Sequence, residues 1–238
     1  MEPVTTPTSV PWPVVLFDLD GTLADTIPLI VASYQHAFAE VLGEHVPEDR
    51  ARAWIGRPLL EALLEESPEH GHELDRVYRE WNLANTDRLI RRVDGVPALL
   101  DALDAAGVRT GVVTSKRRVT ADLALDAVGI SGRIEVVAGL EDTDRHKPAP
   151  DPLLLGAAAL GVEPARCVYV GDAVVDVRAA RAAGMGAVAV TWGAGESAAL
   201  AAEGPDALVD DVGALTAALL DGSGRPGDPP DLGAVGRL

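Results

Sequence analysis

The stretch that most constrains this chain is Val14-Val15-Leu16-Phe17-Asp18-Leu19-Asp20-Gly21-Thr22. Four consecutive apolar residues read as a short strand covered on both faces. That strand runs straight into two carboxylates. Asp is almost never buried without a partner, so such an ending asks for a cation, a proton or a phosphate-handling role. At i, i+2 spacing, Asp18 and Asp20 point to one side of an extended chain. Like charges held that close raise one another's pKa unless a metal shares them, which lets one attack as an anion while the other carries a proton. Gly21 permits a tight turn, and Thr22 adds a hydroxyl and an amide at the same mouth. The competing reading is a strand that ends in a solvated, Asp-rich turn, and the rest of the chain decides between them.

The chain has 238 residues, enough for one large or two small domains. It carries 37 acidic and 20 basic residues, a net charge of −17. Such a field repels nucleic acid and anionic membrane, so neither is expected as a partner. The single cysteine, Cys167, excludes an internal disulfide and suits a reducing compartment; its apolar neighbours mark it as a small buried hydrophobe. There is no basic, apolar leader and no uncharged apolar run of about 18 residues, so a cytoplasmic location is expected. Of the 20 basic residues only Lys116 and Lys147 are lysines, which singles them out as places where a compact point charge is needed.

Hydrophobic periodicity divides the chain. Segments 26–41, 47–54, 58–65 and about 72–88 read as helices, with Gly43 a stop for the first. They form an all-helical block directly after the opening strand. From Gly95 onward, strands at 108–113, 134–137, 167–170, 187–190 and 207–209 alternate with helices at 96–106, 119–128, 151–160 and 174–183 and a last one ending near Leu220. The fold class is therefore α/β, a Rossmann-like and mostly parallel sheet with helices on both faces, plus a small helical domain. The expected division is an unstructured segment 1–12, a core of 13–24 and 93–221, a helical insert of 25–92, and a disordered Gly/Pro-rich tail of 222–238.

In such sheets ligands lie beyond the carboxyl ends of the strands. Those ends carry Asp18 and Asp20, then Thr114 and Ser115, then Asp172 with Asp176; the loop after the third strand carries Arg145-His146-Lys147-Pro148. Carboxylates and hydroxyls without paired histidines or cysteines suit a hard cation, most simply Mg²⁺. A lysine and hydroxyl donors beside it suit a phosphoryl group.

These four segments, FDLDGT at residues 17–22, VVTS at 112–115, the lysine of HKPAP at 147 and VGDAVVD at 170–176, resemble the motifs of the haloacid dehalogenase superfamily. Within it, the chain is similar to the helical-cap, phosphoglycolate phosphatase-like group, over about residues 14–210. The resemblance implies Asp18 as nucleophile, Asp20 as general acid and then base, and Lys147 as charge partner of nucleophile and phosphate. It implies Gly21, Thr22, Thr114, Ser115 and Lys147 as phosphate-binding groups. The implied metal set is Asp18, Asp20, Asp172 and Asp176, with Asp176 either a direct ligand or one shell behind. The implied activity is Mg²⁺-dependent hydrolysis of a small phosphorylated metabolite, with pyrophosphate or a sugar or nucleoside monophosphate as alternative substrates. Phosphomutase, 2-haloacid dehalogenase and non-catalytic binding roles rank below these. Asp20 argues against dehalogenation, because a halide leaves without a proton.

The fourth motif departs from its relatives at Ala173, where a hydroxyl residue is common. Arg57, in the Gly56-Arg57-Pro58 loop, reads equally as a substrate contact and as a solvent-facing turn residue. His146 reads as a loop side chain, Trp54 and Trp81 as core, and Lys116 either as a contributor of positive potential or as surface charge. Monomer and homodimer remain open.

Overall fold

The computed structural model describes residues 10–221. The opening stretch forms β1 (Val14–Phe17), whose four side chains are fully buried. They alternate between the two faces of the sheet, as the side chains of a strand must. Val15 and Phe17 join one apolar cluster, and Val14 and Leu16 join a second on the opposite face. Two small strands, β2 (Ala24–Asp25) and β3 (Arg91–Arg92), pair antiparallel with Ala24 opposite Arg92. Between them lie α1 (Ile27–Leu42), α2 (Glu48–Ala53), α3 (Leu59–Glu66) and α4 (Gly71–Leu89). The helical block therefore leaves and rejoins the chain through one narrow ribbon.

After α5 (Val96–Ala105) come β4 (Arg109–Val113), α6 (Arg118–Val128), β5 (Val136–Ala138), α7 (Asp151–Ala159) and β6 (Cys167–Gly171). The chain ends its described part with α8 (Val174–Ala182), β7 (Gly186–Val190), α9 (Ser197–Ala202), β8 (Ala207–Val209) and α10 (Val212–Asp221). The six long strands form one parallel sheet in the order β5-β4-β1-β6-β7-β8. Phe17 stands in register between Val112 and Val170, so the acidic turn after β1 emerges between the ends of its two neighbours. The strand order reverses at β1, and that is where an open α/β sheet leaves its crevice. Residues of α5, α6 and α10 fill one face, and residues of α7, α8 and α9 the other.

The helical insert has its own core. Tyr34 meets Trp54 and Tyr78 edge to face, at centroid distances of 4.9 and 4.8 Å, and Trp54 stacks on Phe38. Such aromatic pairs contribute about 0.5–1.5 kcal/mol each beyond the area they bury. Trp54 is thus a core residue as expected, and Trp81 stacks on His36.

Three details differ from the sequence reading. Two residues are too few to show a strand pattern, so β2 and β3 leave no trace in the hydrophobic periodicity. The Ala-rich α9 shows no clear apolar periodicity. Trp12, expected in an unstructured leader, is 7% exposed and packs in the cluster around Val15 and Phe17, beside Gly186. The expectations for residues 1–9 and for the 222–238 tail lie outside the described residues. Truncating Trp12 to Ala should remove a large buried contact and cost about 3–5 kcal/mol. A lower urea midpoint at unchanged m-value is the expected result.

Candidate active site

Three carboxylates gather at the carboxyl edge of β1 and β6. Ligand atoms of Asp18, Asp172 and Asp176 all lie within 4.8 Å of one another, and the three residues are 3%, 1% and 1% exposed. Each is placed by backbone. The Asp18 amide donates to the Val170 carbonyl at 2.8 Å, extending the sheet by one residue past β1. Asp176 sits in the first turn of α8, where its Oδ2 accepts the Ala173 amide at 2.9 Å. Asp172 Oδ2 accepts the Ala194 amide at 2.6 Å. Gly21, at φ 75°, and Gly193 let two loops close on that carboxylate: a Cβ at either position would fall 2.3 or 2.1 Å from Asp172 Oδ2.

A single buried ammonium faces this cluster. Lys147 Nζ donates to Asp176 Oδ1 at 2.7 Å and to the Tyr169 hydroxyl at 3.0 Å, and lies 3.2 Å from Asp18 Oδ1. The Tyr169 hydroxyl in turn donates to the Val113 carbonyl at 2.7 Å. Burial pulls the Lys147 ammonium down, but Asp176 and Asp18 more than offset it and hold the group well above its ordinary value. Burial pushes Asp18 up to about 7, against the pull of Lys147 and with the help of Asp176 and Asp20. Burial, Asp176 and Asp18 push Asp172 well above the carboxylate range.

Three carboxylates against one ammonium leave an excess of buried negative charge, which is costly without a further cation. Asp18 Oδ1 is also buried with no hydrogen bond, because Lys147 approaches it off the required angle. An all-oxygen donor set with an unspent lone pair fits a hard divalent ion.

Asp20 stands apart. The chain turns at Gly21, and the Asp20 carboxylate pairs with Lys116 Nζ at 2.9 and 3.1 Å. The structure therefore does not bring it to the cluster of Asp18, Asp172 and Asp176 as a fourth ligand. It lines instead a cavity of about 250 Å³ between the strand ends and the helical insert, shared with Asp18, Thr114, Ser115 and Lys116. The Thr114 hydroxyl accepts the Lys116 amide at 3.1 Å, which leaves its own proton to donate. Ser115 donates to the Gly56 carbonyl at 3.1 Å and so ties the core to the insert. Gly21 and Thr22 do not line the cavity; Thr22 is buried, and Trp192 Nε1 donates to its carbonyl at 3.2 Å.

The insert contributes the remaining walls. Gly56, at φ 90°, presses on the start of α8, where an added Cβ would lie 3.3 Å from Ala173 Cβ and 3.1 Å from Val175 Cγ2. Arg57 lines the cavity but pairs with Glu65 at 2.6 Å. His146 is turned to Glu61 of the insert at 3.9 Å rather than to the carboxylates. Tyr169 escaped sequence reasoning although a lone hydroxyl inside an apolar strand signals a buried partner. Gly193, Tyr34, Tyr78 and Arg79 carried no comparable signal.

A parallel sheet with a buried carboxylate and lysine cluster beside a mostly apolar cavity is the architecture of an α/β enzyme with a charged reaction centre. The chain belongs to the haloacid dehalogenase-like hydrolase family, whose profile matches residues 15–190. It is 38% identical over 197 residues to a phosphoglycolate phosphatase of Xylella fastidiosa, covering 80% of this chain and 86% of that one. It is 34% identical over 201 residues to pyrophosphatase PpaX of Bacillus velezensis, covering 84% and 93%. The solved haloacid dehalogenase-like family protein SP0104 of Streptococcus pneumoniae superposes with a TM-score of 0.78 at 26% identity, over 86% of this chain and 96% of that one. None of the described helices is long and apolar enough to cross a membrane.

Two outcomes follow from the cluster. A carboxyl whose folded pKa is raised stabilises the fold below its unfolded pKa and loses that contribution as pH rises through the folded value. For Asp18 the window runs from about 4 to about 7 and is worth on the order of 4 kcal/mol. Thermal unfolding in EDTA should therefore shift downward across that window, and added Mg²⁺ should restore more at pH 8 than at pH 5. Asp18→Asn should make the EDTA profile shallower, with the raised carboxyl of Asp172 keeping part of the slope. Separately, Tyr169→Phe strands the Val113 carbonyl and takes one partner from Lys147, which should cost about 1–3 kcal/mol in urea unfolding.

Proposed function

We propose that this enzyme is a magnesium-dependent phosphatase of small organic phosphomonoesters that works through an aspartyl phosphate. The observation that carries the reading is the division of labour between two nearby carboxylates. Asp18 lies in the buried cluster with Lys147 within 3.2 Å, while Asp20, two residues on, faces the cavity.

In the first step an Asp18 oxygen attacks phosphorus in line and the bond from phosphorus to the ester oxygen breaks. Asp20 gives a proton to that departing oxygen, so the product leaves as a neutral alcohol. In the second step water attacks the same phosphorus and Asp20 takes its proton. The bond to Asp18 then breaks, releasing inorganic phosphate and the free carboxylate. Lys147 offsets the repulsion between the Asp18 anion and the phosphoryl oxygens, and Thr114 donates its hydroxyl to one of them. Lys116, bound to both oxygens of Asp20, orients the acid and yields as the proton comes and goes. Mg²⁺, held by Asp18, Asp172 and Asp176, supplies Lewis-acid neutralisation of the phosphoryl charge when bound.

The domain boundaries fit the same reading. Residues 25–92 act as a cap over the core of 13–24 and 93–221, hinged at the ribbon of β2 and β3 and excluding water when closed. The single, buried Cys167 suits a cytoplasmic enzyme. Pyrophosphate hydrolysis is a second reading, favoured by the relatives named pyrophosphatase PpaX.

Asp18→Asn should show no turnover of any phosphate substrate. Asp20→Asn should retain about 10⁻² to 10⁻⁴ of the wild-type rate. Steady-state phosphate release with and without Mg²⁺ checks both, and near-wild-type rates in either variant would end the assignment.

A further inference from the structure

The cavity beside Asp20 lies where a departing alcohol would take its proton. Its walls on the insert side are Tyr34, Ile55, Leu59, Tyr78 and Leu83, and Val119 of α6 faces them from the core. Leu83, midway along α4, and Val119, in the first turn of α6, are 56% and 62% exposed, although large aliphatic side chains gain little from facing water. Both stand at the cavity. Four cations line it, and three are already engaged within the chain: Arg57 with Glu65, Arg79 with Asp75 and Lys116 with Asp20. The fourth, Arg117, is exposed. Asn82 is likewise committed, donating to the Ser33 hydroxyl at 2.9 Å.

An anionic leaving group, such as a carboxylate-bearing alcohol or a second phosphate, would sit against aliphatic and aromatic walls, and of the four cations only Arg117, on the exposed side, has no ion-pair partner among the described residues. Charge in such surroundings is costly unless fully paired. An uncharged apolar alcohol matches those walls without needing a counter-charge. The volume sets its size. The cavity of about 250 Å³ takes a phosphoryl group and leaves roughly the 150 Å³ that holds a benzene ring in a dry protein cavity.

From these walls and this volume we infer that the preferred substrate is the phosphomonoester of an uncharged, mostly apolar, ring-sized alcohol. This rests on the phosphatase reading above and goes further in naming the leaving group. The tyrosine rings give the flat faces against which a ring packs, and Leu83 with Val119 forms the apolar rim over which it enters.

The test compares kcat/KM for benzyl phosphate, phosphoglycolate, glycerol phosphate and pyrophosphate, with the full chain and Mg²⁺. Benzyl phosphate is expected to exceed each of the other three by about tenfold or more, the scale on which a few apolar contacts discriminate. Leu83→Ala, at an exposed position that leaves folding intact, should lower kcat/KM for benzyl phosphate about threefold to tenfold and change phosphoglycolate less than twofold. A smaller preference, a preference for phosphoglycolate or pyrophosphate, or an equal loss on all substrates in Leu83→Ala, would overturn the inference while leaving the phosphatase reading in place. Hydrolysis that survives in Asp18→Asn would overturn that reading instead.

Discussion

The ion cluster around Lys147 is the interaction on which the rest of the structure depends. One ammonium is set among Asp18, Asp172 and Asp176 where water does not reach, so removing it costs far more than breaking a surface ion pair, because it would leave buried carboxylates stranded. Such a cluster is stable only if every partner is held from behind. Tyr169 does this for the lysine, the first turn of α8 for Asp176, and the Ala194 amide for Asp172. Two glycines at positions 21 and 193 then bring their loops onto the Asp172 carboxylate more closely than any side chain would allow. Residual negative charge is the result, and it makes the cluster a ready cation site instead of a closed salt bridge.

Much of this was legible in the sequence. Burial on both faces makes a parallel central strand read as an unbroken apolar run, and Val14 to Phe17 does so. The carboxylates and Lys147 stand at strand ends or in strand-end loops, where chemistry collects in any sheet of this kind. The helical insert was legible because its helices carry aromatic and aliphatic residues at helical spacing, which now form a separate core around Tyr34 and Trp54. What stayed hidden has physical reasons. Tyr169 acts through a hydroxyl whose partners are 22 and 56 residues away in sequence, and spacing along the chain says nothing about such pairs. The i, i+2 spacing of Asp18 and Asp20 puts them on one side of an extended strand, but β1 has ended by residue 17 and the turn at Gly21 swings the Asp20 carboxylate to Lys116. The two-residue ribbon and Trp12 are too short and too isolated to generate a pattern.

Ala173 also gains an explanation. As a departure from the fourth motif it looked like a lost hydroxyl near the metal. In the structure it is the surface on which Gly56 of the insert rests, while Ser115 holds the Gly56 carbonyl from the other side. A small apolar residue at 173 and a glycine at 56 thus form one feature, the close seating of the insert loop on the strand ends. Ser115, expected among the phosphate donors, is drawn into the same seating.

That seating bears on how specificity arises. The polar half of the site is a buried network of charges held together by Lys147, and a change there disturbs both charge balance and folding. The other half belongs mainly to the insert, which has its own apolar core and meets the strand-end loops at Gly56, at the pair of Glu61 and His146, and at Ala194. Leaving-group preference can therefore change by repacking residues such as Leu59 and Leu83, with Asp18, Lys147 and Asp172 untouched. Chains alike in the cluster can then differ in what they hydrolyse, which is why the walls of the cavity, and not the motifs, carry the information about substrate.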